Sequence, residues 1–232
     1  MTKTLVIDRR MSNESKDKLK NLGYSLIEMP CISCLEKPVS AHPDMSMMKI
    51  KEQLFVYDDI NNMFTNFNTT AISRGHEAKR VLEYPDNVAL NCAVVGDRII
   101  CNTKYASKQE LEYAENMGLT IIHVNQGYAK CSVCVVSDNA IITEDESIAS
   151  ECTKHGIDVL KISKGFVKLD GYDYGFIGGC SGLLEEKLLA FNGNIKLHPD
   201  CMQITDFCKM HGVDIICLNN EQLYDVGSII RL

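Results

Sequence analysis

The sequence predicts an α/β protein in which five pseudo-symmetric strand–strand–helix–strand units close into a ring. Three observations carry that expectation. A charged, helix-like segment that ends at a glycine and runs into a short apolar strand recurs at Gly23, Gly118, Gly156 and Gly212. Hairpin-like strand pairs occur at 47–57, 91–101, 134–143 and 182–191. The two ends of the chain supply complementary halves of one further unit. A period of this length is the mark of a repeat architecture.

Taken in chain order, residues 1–29 read as a second strand, a helix and a last strand, Gly23-Tyr24-Ser25-Leu26-Ile27, with no first strand. The first full unit opens on Met47-Met48-Lys49-Ile50 and Leu54-Phe55-Val56-Tyr57. It departs from the pattern between Asp58 and Pro85, a longer and more polar stretch that includes Arg74-Gly75-His76. That stretch reads either as a loop-rich insertion over one mouth of the ring or as an irregular surface helix.

The next unit pairs Asn91–Val95 with Arg98–Cys101 across a Gly96-Asp97 turn, which is suitable tight-turn chemistry. Its helix follows Ser107 with Glu110 three residues on, the pattern of a capping box. The third pairs Cys134–Val136 with Ala140–Thr143, and Glu144-Asp145-Glu146 places acids at a helix start, where the dipole favours them. The fourth hairpin spans Gly182–Phe191, and His198-Pro199-Asp200 leads into the following helix, with Pro tolerated in a first turn and the triplet read as capping.

In each unit the glycine after the helix fits a left-handed cap, and the strand beyond it is apolar enough to be buried on both faces. The closing segment, Val226-Gly227-Ser228-Ile229-Ile230-Arg231-Leu232, supplies the first strand that residues 1–29 lack. Closure removes the exposed edges of an open array. The rival architecture, an open doubly wound sheet, predicts no hairpin before each helix. Residues 1–232 are expected to form one domain.

Composition narrows the function classes. A net charge of −7 argues against a phosphate-backbone partner and accommodates a cationic small substrate. The apolar runs are strand-sized and too short for a membrane span, and the N-terminus lacks an export pattern. Eleven cysteines, an odd number, then fit reduced thiols in a cytoplasmic protein better than a disulfide framework. No cofactor is called for.

In such a ring the first strands line the centre and their starts face one mouth. The residues at those starts are His42-Pro43-Asp44-Met45, Asn91-Cys92, Lys130-Cys131-Ser132, Gly178-Gly179-Cys180 and Asp225-Val226-Gly227-Ser228. A histidine, acids and cysteines far apart in sequence therefore converge.

Five such units make up the pentein, or guanidino-group-modifying-enzyme, fold, and the repeat resembles that fold along essentially the whole chain. The chain is similar to an uncharacterised bacterial family described as having it. The His42-Pro43-Asp44 segment before a strand resembles the His-x-Asp segment of arginine deiminases. The stretch Gln126-Gly127-Tyr128-Ala129-Lys130-Cys131 resembles their nucleophile segment. Tyr224-Asp225-Val226-Gly227 resembles their guanidinium-binding segment, with Asp where Glu is usual. The order of these units around the ring matches after a circular permutation. One departure stands out: Phe176-Ile177-Gly178-Gly179-Cys180 carries no acid where one is expected, with Asp170 or Asp173 just upstream as substitutes.

The resemblance implies a hydrolase or amidinotransferase acting on a guanidino or amidine compound. Cys131 would be the nucleophile, with His42 as acid–base and Asp44 beside them. Asp225, Asn91, Lys130 and Cys180 would hold substrate. Lys130 or His42 is expected to lower the pKa of the Cys131 thiol. Two other readings stay open. One is a non-catalytic binding or assembly module, as with the ribosome anti-association factors of this fold. The other is a zinc protein using the Cys31-x-x-Cys34 and Cys131-x-x-Cys134 pairs, although a strand would aim the second pair to opposite faces.

Overall fold

The computed structural model describes residues 3–73 and 81–232. Five three-stranded sheets make up its β structure. Four are built within one stretch of chain: β3 (Met47–Ile50), β4 (Gln53–Tyr57) and β5 (Thr69–Ile72); β6 (Ala93–Val95), β7 (Arg98–Cys101) and β8 (Thr120–His123); β9 (Cys134–Ser137), β10 (Ala140–Thr143) and β11 (Asp158–Lys161); and β12 (Ser181–Glu185), β13 (Leu188–Phe191) and β14 (Asp214–Cys217). In every one the first strand pairs antiparallel with the second and the second pairs parallel with the third.

The fifth sheet closes the ring. Here β1 (Thr4–Asp8) pairs parallel with β2 (Ser25–Met29) and antiparallel with β15 (Ile230–Arg231) at Leu5↔Arg231 and Val6↔Ile230. The complementary half-units at the two chain ends thus form one blade.

Helices α1 (Asn13–Asn21), α2 (Lys108–Asn116), α4 (Glu146–Lys154) and α5 (Cys201–Met210) each join a second strand to a third. Gly23, Gly118, Gly156 and Gly212 follow them at φ between +68° and +90°. A Cβ at any of these four would touch nothing within 4 Å, so the requirement for glycine is conformational. In the β3–β5 unit a 3-10 helix, Asp58–Phe64, replaces the α-helix, and β5 follows without a glycine cap. Neither reading of 58–85 included that strand, and Arg74-Gly75-His76 lie outside the described residues.

Two helix starts differ from expectation. Ser107 is the N-cap of α2, but its side chain makes no cap bond. Its backbone N–H already donates to the Ala89 carbonyl at 3.0 Å, so Glu110 has nothing to reach back to. The Glu110 carboxyl turns inward instead, fully buried, with neither oxygen hydrogen-bonded. Asp200 is the N-cap of α5, yet its carboxylate accepts from Ser163 N at 2.6 Å rather than from its own helix. Asp145 does cap α4, accepting from Ile148 N at 2.9 Å.

Burial pushes the Glu110 carboxyl well above the usual carboxylate range, with Cys101 adding to the shift. The folded protein therefore keeps this proton after the unfolded chain has released it, near pH 4.3. Above that pH the unfolded state binds fewer protons, so stability falls as pH rises towards the folded pKa. Glu110→Met, which also removes two unpaired oxygens, is expected to stabilise the fold by about 1–3 kcal/mol. The gain should be larger at pH 8 than at pH 5, as read by urea unfolding.

The core is divided into five clusters set between neighbouring blades. One packs Cys134, Val136 and Ile142 against Leu189 and Phe191, and another packs Leu5 and Ile7 against Leu184 and Ala190. The ring is thus held by wedges of apolar packing, which leaves polar residues to line the first-strand ends at its centre. Among the described residues no helix is long and apolar enough to cross a membrane.

Candidate functional site

The starts of the first strands meet at one mouth, each fixed by a local turn. His42 is the N-cap of a one-turn 3-10 helix, Pro43–Met45, that delivers Asp44 just before β3. Cys131 lies in α3 (Ala129–Ser132), a single helical turn before β9, and not on the strand itself. Its partner in the Cys-x-x-Cys pair, Cys134, begins β9 and packs into the core. Among the described residues no three His, Cys, Asp or Glu side chains are grouped to hold a metal ion, which is the grouping the zinc reading requires.

Asn91 clamps the turn that carries the cysteine. Its Oδ1 accepts from Lys130 N at 2.8 Å and Cys131 N at 3.2 Å, while its Nδ2 donates to Cys131 Sγ at 3.1 Å and to the Asp44 carbonyl at 2.9 Å. The thiol in turn donates to Asp44 Oδ2 at 3.3 Å. Ser228 Oγ lies 2.7 Å from the same carboxylate oxygen and 3.0 Å from the Gly178 carbonyl, and accepts from Lys130 Nζ at 3.1 Å. Ser228 holds φ of +66°, a left-handed conformation that a serine adopts at a cost.

His42 sits between two carboxylates. Its Nδ1 is 3.7 Å from Asp225 Oδ1 and its Nε2 is 3.8 Å from Asp8 Oδ2. Arg10 grips Asp8 from the far side, donating Nε to Oδ1 at 3.0 Å. Asp225 is fixed by two backbone donors, Phe176 N and Gly227 N, each at 2.9 Å.

Gly178 and Gly179 have a steric explanation. A Cβ at 178 would fall 2.5 Å from the Lys130 and Val133 carbonyls; at 179 it would fall 2.1 Å from Asp225 Oδ1. The space where an acid was expected is filled by the Asp225 carboxylate, arriving from the neighbouring blade.

A cavity of about 230 Å³ opens onto this group. His42, Cys131 and Asp225 line its depth, Val39, Met45 and Leu169 its flank, and Tyr128, Tyr172, Tyr174 and Phe176 form an aromatic wall. Tyr128 and Phe176 stack at 6.3 Å. Asp173 is at its exposed rim, whereas Asp170 lines a neighbouring cavity with Asp8 and Arg10.

The expected site residues thus divide. Cys131, His42, Asp44 and Asp225 converge. Asn91 and Lys130 hold the turn and Ser228, and neither lines the cavity. Cys180 turns away, donating its thiol to the Ile177 carbonyl at 3.3 Å and packing in the core.

The electrostatics also correct one expectation. Burial, reinforced by the Asp44 and Asp225 carboxylates, pushes the Cys131 thiol well above its usual range. Lys130 does not lower it, because its ammonium is turned to Ser228. Burial raises the Asp225 carboxyl too, opposed by His42. Glu144, read from the sequence as a helix-start acid, is a further acid near the site. It accepts from Ile177 N at 3.1 Å, just before the two glycines, and burial pushes it up to about 8. Its position after the second strand β10, away from the first-strand starts, concealed its place near the site.

The family described as "Family of unknown function (DUF6873)" matches residues 6–230. The chain belongs to this family. No curated protein matches its sequence. Among solved structures, the chain is similar to DDAH from Pseudomonas aeruginosa, a mutant complexed with citrulline, at a TM-score of 0.59 and 9% identity, covering 94% of this chain and 92% of that one. It is similar to SxtG, an amidinotransferase from Microseira wollei, at 0.55 and 9%, covering 93% and 88%. A third is the C. jejuni agmatine deiminase, at 0.52 and 11%, covering 94% and 88%. This member of DUF6873 therefore has the pentein propeller fold of guanidino-group-modifying enzymes.

Proposed function

We propose that the protein is a cysteine-dependent hydrolase of a guanidino or amidine small molecule. Amidino transfer is the same first half-reaction with an amine in place of water. The observation that carries this is two buried polar atoms that make no hydrogen bond: Asp44 Oδ1, on the carboxylate that accepts the Cys131 thiol, and His42 Nδ1, on the ring that lines the same cavity as Cys131. An unsatisfied buried acceptor is costly, and a planar cation with several N–H groups supplies the donor that Asp44 Oδ1 lacks, with the Asp225 carboxylate as a second acceptor. The names of the structural relatives, which include a citrulline complex and an agmatine deiminase, favour the same substrate class.

The chemistry follows from the arrangement. Entry of a cation between Asp44 and Asp225 offsets the two charges that, added to burial, hold the thiol protonated. The Cys131 proton passes to His42 as the sulfur forms a bond to the guanidinium carbon. The C–N bond to the leaving amine then breaks, and the His42 imidazolium protonates the departing nitrogen. Water attacks the remaining amidino carbon and gives a proton to His42. The C–S bond breaks, the proton returns to sulfur, and a urea-type product leaves. Asp225 and Asp44 orient the cation, and Asn91 holds the cysteine turn.

A second reading, a non-catalytic binding module, is favoured by the raised pKa of the Cys131 thiol. Chloroacetamidine, a guanidinium-shaped alkylating agent, separates the two. The enzyme reading expects adducts on Cys131 well ahead of those on the exposed Cys31, and expects them to vanish in His42→Ala, as mapped by mass spectrometry. Labelling of Cys131 no faster than of Cys31 would leave only the binding module.

A further inference from the structure

The walls of the cavity above Cys131 bear on what else the substrate carries. Resting on the guanidine reading above, we propose that the site selects guanidines whose tail ends in an amine and bears no carboxylate. Among the described residues that line this cavity, the charged groups besides His42 are both carboxylates: Asp225 in the depth and Asp173 at the rim. A head group seated at Cys131 places its tail among Met45, Leu169 and the aromatic side chains Tyr128, Tyr172, Tyr174 and Phe176, which line the same cavity.

Those surfaces discriminate by charge. The face of an aromatic ring carries the negative part of its quadrupole, so it attracts an ammonium and repels a carboxylate. At the rim Asp173 adds a full negative charge, and the Tyr172 hydroxyl beside it is engaged by Glu36, a further acid. A tail carboxylate would be stripped of water against apolar walls and would meet two like charges. An ammonium would exchange its water for ring faces and a carboxylate. The volume of about 230 Å³ admits a guanidinium with a short alkyl chain.

Three compounds whose tails run five atoms beyond the guanidine differ at the tail end: 4-aminobutylguanidine, pentylguanidine and 4-guanidinobutyrate. Each is titrated against the intact protein, with the thermal shift and the protection of Cys131 from chloroacetamidine as readouts. Half-effect concentrations are expected to rise from the amine to the methyl to the carboxylate compound, the last at least about tenfold above the first. Asp173→Asn is expected to narrow the gap between amine and methyl compounds by about threefold, the size for an exposed charge pair. A carboxylate compound that acts at or below the concentration of the amine overturns the selectivity proposal while leaving the guanidine reading in place. Ranked thermal shifts without any alkylation of Cys131 support the selectivity and sink the catalytic reading. No shift and no protection by any of the three overturns both.

Discussion

Asp44→Asn is expected to move the reactivity of Cys131 in opposite directions towards two reagents. The Asp44 carboxylate is one of the charges that hold the thiol in its protonated form, and it accepts the thiol's hydrogen bond at 3.3 Å. Removing the charge lowers the thiol pKa and raises the thiolate fraction, so neutral iodoacetamide should alkylate Cys131 faster in the variant than in the parent. The cationic reagent loses a buried, hydrogen-bonded partner instead. Truncating such a pair costs about 2–5 kcal/mol, so chloroacetamidine labelling should fall by roughly 10²-fold. Asparagine preserves the shape and one acceptor, and Ser228 Oγ can still donate to it, so the fold should be retained. Both rates are read by peptide mass spectrometry at a single pH. Parallel changes of the two reagents would show that Asp44 acts on the thiol alone and has no part in recognising a cation.

Gly179→Ala is expected to be among the most destabilising single-methyl changes in the molecule. The added carbon would fall 2.1 Å from Asp225 Oδ1 and 2.4 Å from its Cγ, so the carboxylate must leave its place. With it go the hydrogen bonds from Phe176 N and Gly227 N. Overpacking alone costs about 1–3 kcal/mol, and each orphaned backbone donor adds to it, so a loss of at least about 3 kcal/mol in urea unfolding is expected. Gly156→Ala serves as the comparison. There the new carbon meets nothing, and only the left-handed backbone at φ +75° is penalised, at about 1–2 kcal/mol. Pairing Gly179→Ala with Asp225→Ala removes the atoms it collides with. The double variant should therefore lose clearly less than the sum of the singles, and additive losses would refute this account.

Much of the architecture is legible in the sequence because the repeat is written twice over, in glycine caps and in hairpin turns. Gly23, Gly118, Gly156 and Gly212 mark helix ends by backbone conformation alone, a constraint that no tertiary context relaxes. The strand β5 escapes such reading because a 3-10 helix leads into it and no glycine announces it. The convergence of His42, Asp44, Cys131 and Asp225 follows from symmetry once the ring is assumed, since equivalent positions of each unit face one mouth.

What symmetry cannot supply is orientation. Cys180 occupies an equivalent position but points into the core. Lys130 adjoins Cys131 in sequence, yet its ammonium is spent on Ser228, so the expected drop in thiol pKa becomes a rise set by burial. Gly179 reads as a missing acid only until the opposing carboxylate is seen to occupy its space. Tyr172, Tyr174 and Phe176 of the aromatic wall alternate as strand residues would, but they lie in an irregular segment outside any strand, and only the fold brings Tyr128 to them.

The seam between the two chain ends gives ligand binding a mechanical role. Strand β15 is two residues long and pairs with β1 at Leu5↔Arg231 and Val6↔Ile230, and Leu232 N donates to the Thr4 carbonyl at 3.0 Å. The same short segment delivers Asp225 and Ser228 to the mouth, while β1 delivers Asp8. A guanidinium held between Asp225 on the clasp and Asp44 on the next blade would bridge the fastening from within. Fraying of the clasp and release of the ligand then become one event, and occupancy of the mouth should slow amide exchange at Ile230 and Arg231 before it slows exchange anywhere else.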